Sequence, residues 1–178
     1  TVSDLKAKAD GTTVAWVQAY IVAGIKSSTD MSISSENDVV FGTQPTGVKA
    51  TAFLIADDRG ESDYKNCSAV NLSGKTAGCS EVKAALNLVD NATTPLPRLV
   101  TLKGTLVKNT WGLPGLKEVT TAILEDGTII GEGGDEPTPP VDGVTFFEES
   151  FASDKGTFTI EDKTRPTKVS EIWNWESY

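Results

Sequence analysis

The sequence predicts an all-β protein: a small, tightly curved barrel of five strands with one helix between the third and fourth, then the start of a second β segment. Three observations predict it. Five stretches within the first 124 residues carry period-two or short apolar patterning bounded by turn-rich sequence. The best helical stripe falls between the third and fourth of them. Beyond residue 124 the composition changes abruptly.

In chain order, Ser3–Ala9 reads as a short helix capped by Ser3 or Asp4. From Thr12 to Ile25 the period becomes two. Ala15, Val17, Ala19, Ile21, Ala23 and Ile25 share one face; Val14, Trp16, Gln18, Tyr20 and Val22 share the other. A face of mostly small residues suits the inside of a narrow barrel, where room is short. Ser27 to Ala50 is polar and turn-rich, long for a connection within a domain, with Val39-Val40-Phe41 as an apolar anchor. Thr51–Ala56 is the second strand, ending at the turn Asp57-Asp58-Arg59-Gly60, and Ser68–Leu72 is a short third. The helix Ser80–Val89 has Ser80 as N-cap, Glu81 in its first turn, and Val82, Ala85, Leu86 and Val89 on one stripe. Asn91 to Pro97 breaks it. Arg98–Val107 and Leu116–Leu124 are the fourth and fifth strands. Three strands, a helix and two strands is the layout of the OB-fold. Closure requires the last two strands to return as a hairpin beside the first.

Domain boundaries follow from charge. Residues 1–124 hold twelve Lys/Arg and twelve Asp/Glu, whereas 125–178 hold four against thirteen, which accounts for the entire net charge of −9. Residues 125–143, rich in Gly, Pro and acids, read as a linker. Residues 144–178 are too few for an independent core, yet carry Phe146, Phe147, Phe151, Phe158, Trp173 and Trp175, too many aromatics for a disordered tail. They read as the opening of a second, incomplete domain.

Several chemistries are excluded or weakened. There is no histidine, which removes the usual general base near neutral pH and every imidazole triad, so the chain reads as non-catalytic. No cofactor or metal site is read. Cys67 and Cys79 cannot complete a zinc site without histidine. They remain either two buried thiols or a disulfide, and a closed loop of that length would contribute about 3 kcal/mol. Ser73-Gly74-Lys75-Thr76 resembles the end of a phosphate loop, but Ala69 stands where that motif needs glycine. Asp57, Asp58, Glu61 and Asp63 cluster around one turn without the order of a calcium loop, and read as a solvated strand end. No apolar run approaches the ~20 residues that cross a bilayer. The chain begins at Thr1, so no targeting segment is legible.

The candidate ligand residue is Trp111, between the fourth and fifth strands. In OB barrels that loop and the one after strand one flank the ligand face, where aromatics stack on bases or sugars. Lys108 and Asn109, and across the face Tyr64 and Lys65, are its candidate polar partners. The alternative is that Trp111 packs on the barrel end while Gly112 and Gly115 shape a turn. Trp16 and Tyr20 are a second aromatic pair, either a stacking platform or covered by the helix or the long loop.

The run Thr13-Val-Ala-Trp-Val-Gln-Ala-Tyr-Ile-Val-Ala-Gly24, with Phe53–Asp57, Val70–Leu72, Leu86–Asn91, Val100–Gly104 and Gly112–Lys117, resembles an OB-fold module of Bacteroidetes surface and periplasmic lipoproteins. Ala19 and Ala23 depart from the glycines expected there. The tail, Phe146–Phe151 through Gly156–Ile160 to Ile172–Trp175, resembles the first strands of a jelly-roll domain of the anchor or carbohydrate-binding type. The resemblance implies an extracytoplasmic lipoprotein module that binds or positions a glycan or a protein, attached to the membrane only through an N-terminal lipid outside this chain. The competing function is single-strand nucleic-acid binding, which the fold permits but the absence of a basic stripe disfavours.

Overall fold

The computed structural model describes residues 1–132. Seven strands and two helices follow one another: α1 (Val2–Lys8), β1 (Val14–Lys26), β2 (Val39–Phe41), β3 (Val48–Ala56), β4 (Ser68–Asn71), α2 (Cys79–Leu86), β5 (Arg98–Thr110), β6 (Leu113–Leu124) and β7 (Ile129–Gly131). The strands form one sheet in the order β2-β1-β3-β4-β6-β5, and β5 returns to pair with β1 from Val14↔Thr105 to Ile21↔Arg98. β1, β3, β4, β6 and β5 therefore close a five-stranded barrel. All its pairings are antiparallel except β4 with β6. With α2 between β4 and β5, this is the OB-fold arrangement predicted from the strand count.

Closure depends on backbone contact at the β4–β6 junction. Gly115 faces Ala69 there, and a Cβ on Gly115 would collide with the Ala69 carbonyl. Only a residue without a side chain lets these two strands meet. Inside the barrel Val17, Ala19, Ile21, Phe53, Ile55, Val70, Leu102, Leu106 and Leu116 form the inner core. Val2 and Leu5 of α1 join it, as do Val82 and Leu86 of α2.

The elements differ from expectation in instructive ways. α1 is capped by Thr1 rather than Ser3 or Asp4; Asp4 is the reciprocal partner in a capping box. Its N-terminus is tied to the barrel by Asp57, which accepts from Val2 N (2.6 Å), Ser3 N (3.1 Å) and Ser3 Oγ (3.0 Å). α2 is capped two residues earlier than predicted, by Gly78 in place of Ser80, and ends at Leu86, leaving Val89 exposed. β3 begins at Val48 rather than Thr51, and β6 at Leu113 rather than Leu116.

The face assignment of β1 holds only to Ile21. A register shift between Ile21 and Ala23 inserts an extra residue, so Ala23 and Ile25 turn outward into a second cluster. The domain also continues past residue 124. Ile129–Gly131 pairs with Thr121–Ile123 as β7, so the first part of the expected 125–143 linker belongs to the barrel domain. The jelly-roll expectation for 144–178 falls outside the described residues. No helix among the described residues is long and apolar enough to cross a membrane.

Candidate functional site

The outer face of β3 and β4 is where OB barrels hold their ligands. Here that face carries Ala52, Leu54, Ala56, Cys67 and Ala69, all buried. The cover is the long segment after β1, which lays Ile33 and Val39 on it; Tyr20, Phe41, Tyr64, Trp111 and Leu113 pack around the edge. β2, expected only as an apolar anchor, pairs with the upper half of β1, Ala23↔Phe41 to Ile25↔Val39.

Asp38 gives this cover its shape. Its carboxylate accepts from Ser34 N (2.9 Å) and Oγ (3.0 Å) and from Ser35 N (2.9 Å) and Oγ (3.2 Å). These bonds, Ser34 N foremost, hold the Asp38 carboxyl down to about 2. Thr29 Oγ1 donates to the Asp38 carbonyl at 3.1 Å, closing the loop on itself.

Trp111 and Gly112 form the turn joining β5 to β6, with φ of 55° and 83°. Two positive φ values in a two-residue hairpin define a type I′ turn, where asparagine or glycine is usual at both positions. Holding Trp111 there costs about 1 kcal/mol of backbone strain. Asn109 Oδ1 supports the turn by accepting from Gly112 N at 3.0 Å. The covering loop is bonded to the same turn, Ile33 N donating to Trp111 O at 2.9 Å. The indole ring packs against the outer cluster with Lys49 Nζ 5.1 Å from its centroid, and its Nε1 is buried without a hydrogen-bond partner.

The predicted ligand residues are thus partly brought together, but three of them close the face. Trp111 lies on the cluster edge and Asn109 braces its turn. Tyr64 packs on the same cluster and donates from its hydroxyl to Ser34 O at 3.3 Å. Lys108 and Lys65 are exposed, and Lys65 Nζ stands 5.9 Å from the Tyr64 ring. Of the second aromatic pair, Tyr20 packs on the outer cluster, while half-buried Trp16 has Lys103 Nζ 5.6 Å from its ring.

The cysteines are two buried free thiols rather than a disulfide. They sit in different surroundings: Cys67 in the outer cluster, Cys79 in the first turn of α2 with Sγ 3.8 Å from Glu118 Oε2. Burial pushes the Cys67 thiol up to about 12, and burial together with Glu118 raises Cys79.

The phosphate-loop look-alike has its own resident anion. Glu118 Oε2 accepts from Lys75 N (3.0 Å), Thr76 N (3.1 Å) and Thr76 Oγ1 (2.6 Å). These bonds, led by the Thr76 hydroxyl, hold Glu118 below the usual carboxylate range. The donors a second anion would use are taken by this carboxylate. The acids near the Asp57 turn are likewise engaged by backbone: Asp58 by Gly60 N (2.8 Å), Glu61 by Ser62 N (2.9 Å) and Asp63 N (2.8 Å), and Asp63 by Lys65 N (2.9 Å).

An open cleft of about 240 Å³ adjoins the covered face. Val22 and Leu96 are its buried apolar floor, Phe41 and Pro97 its walls, and Arg59 and Glu61 its polar rim. Leu96 N donates to Thr43 O at 2.8 Å, locking two of the bordering loops together. Sequence reading missed this cleft, because its lining comes from four separated segments and none carries a motif.

A family model described as "Domain of unknown function (DUF6359)" matches residues 1–125. The chain belongs to this family. The matched span covers the barrel through the end of β6, so the covered face and the cleft both lie within the DUF6359 domain. No curated protein and no solved structure matches the chain.

Proposed function

We propose that this DUF6359 domain is a non-catalytic binding and scaffolding module of a multidomain extracytoplasmic lipoprotein, holding a glycan or a protein partner. One observation carries the reading: the outer face of β3–β4 is filled by the chain's own loop. An extended nucleic-acid strand could lie there only after Ile33 and Val39 were lifted away and the Ile33–Trp111 bond broken. The balanced charge of residues 1–124 argues the same way, since phosphate binding needs a basic track. The absent imidazole supports a role without catalysis. The resemblance of the barrel and of the aromatic tail to lipoprotein modules supports the compartment, and buried thiols are sheltered from oxidation in any compartment.

Titration calorimetry separates the two readings. Neutral glycans or glycan-bearing proteins should give saturable binding that is insensitive to salt. Tight single-stranded oligonucleotide binding that weakens steeply between low and physiological salt, with no glycan response, would overturn the proposal.

A further inference from the structure

We propose that the cleft beside the covered face receives one neutral pyranose ring of a glycan, which places the ligand of the reading above at a definite site and rests on that reading. The chemistry of the lining carries it. A pyranose presents flat C–H faces and a girdle of paired hydroxyls, so it needs an apolar wall next to an acceptor and a donor. Phe41 and Pro97 supply the wall, and Val22 and Leu96 an apolar floor. Glu61 lines the cleft and supplies the acceptor: Ser62 N and Asp63 N hold its Oε1, which leaves Oε2 unbonded. Arg59 supplies the donor, for its guanidinium makes no hydrogen bond or ion pair with any described residue. A carboxylate and a guanidinium placed together can take both hydroxyls of a vicinal pair.

Charge selects a neutral ligand. Arg59 and Glu61 cancel, and Asp58 and Asp63 beside them leave the surroundings acidic, which disfavours phosphates and acidic sugars. Size selects one ring rather than a chain: 240 Å³ lies below the ~300–1,000 Å³ of pockets that engulf drug-sized ligands. An isolated ring should therefore bind weakly, with Kd on the order of 1 mM.

The test is amide-detected NMR on the full chain, titrated with methyl glycosides of neutral hexoses and N-acetylhexosamines. At least one glycoside should shift the amides of Gly42, Thr43, Gly60, Glu61 and Ser62 in a saturable way. Glu61→Gln keeps an oxygen for Ser62 and Asp63 but removes the free acceptor; Arg59→Gln removes the donor. Each should weaken binding about tenfold while leaving the rest of the spectrum unchanged, since a lost bond to a charged group is worth roughly that factor. Shifts mapping to another face, or unchanged affinity in both variants, would overturn this site while the binding-module reading stands. No response to any glycoside, with salt-sensitive shifts from a single-stranded oligonucleotide, would overturn both.

Discussion

The inner core and the outer cluster are both buried and apolar, yet they are built on different terms. Every barrel strand and both helices send side chains to the inner core, so removing any one element exposes the others. The outer cluster takes its floor from the upper β1 and the outer faces of β3 and β4, and its roof from a single loop. That roof is held by the β1–β2 pairing, the Asp38 network, the Ser27–Gly47 bond at its base, and single bonds to Trp111, Tyr64 and Leu96. The difference teaches how an OB barrel can lose its open ligand face without any change to the barrel. Lengthening one loop suffices, provided the strand surface under it is apolar.

This contrast can be broken by experiment. The largest effect is expected at Phe53, fully buried inside the barrel. Phe53→Ala should cost about 3–5 kcal/mol in denaturant unfolding, lost in one cooperative transition. Ile33→Ala in the roof should cost about 2 kcal/mol, registered as local opening. Hydrogen exchange should quicken at residues 27–47 while the inner strands keep their protection. Equal deprotection of both regions would show that the two cores unfold as one.

Acid should sharpen the distinction. Asp38 has its folded value depressed from 3.8 to about 2, so the ionised carboxylate's contribution is present above the unfolded value. It is lost as pH falls through that window. Exchange at 27–47 should rise as pH drops from 3.8 toward 2, after correction for intrinsic rates, and Asp38→Asn should flatten that response. A response unaltered by the substitution would move the acid sensitivity elsewhere.

The smallest effect is a reporter. Both thiols are buried with raised values, so neither should react readily with a thiol-specific disulfide reagent at pH 8 in the native protein. In Ile33→Ala, Cys67 should become labelled before Cys79, because only Cys67 lies under the roof. Simultaneous labelling would argue against a separately opening cluster.

Sequence pattern carried the barrel well. The alternation of Val17, Ala19 and Ile21, the stripe of Val82 and Leu86, and the alternation of Val100, Leu102 and Leu106 all mark residues that reached the inner core. Periodicity is a local property, and an inward face repeats along its own strand. It failed where geometry shifts within an element. The bulge near Val22 reverses the phase for Ala23 and Ile25, and nothing in their identity announces it. The site was less legible. Trp111 was singled out for its place in the loop, but whether it greets a ligand or leans on Ile33's loop depends on what another segment does.

By itself, the amino-acid order determined the number and succession of barrel strands, the helix between the third and fourth, the balanced charge of residues 1–124 and the acidic character of the rest. Those features follow from residue spacing and charge, which are written along one dimension. Only the tertiary structure decided that the outer face of β3 and β4 is roofed, that Glu118 fills the phosphate-like nest, that the cysteines stay apart, and that Phe41, Arg59, Glu61 and Pro97 border one cleft. Each of these joins residues from different segments, and their meeting is set by how the closed barrel positions its loops.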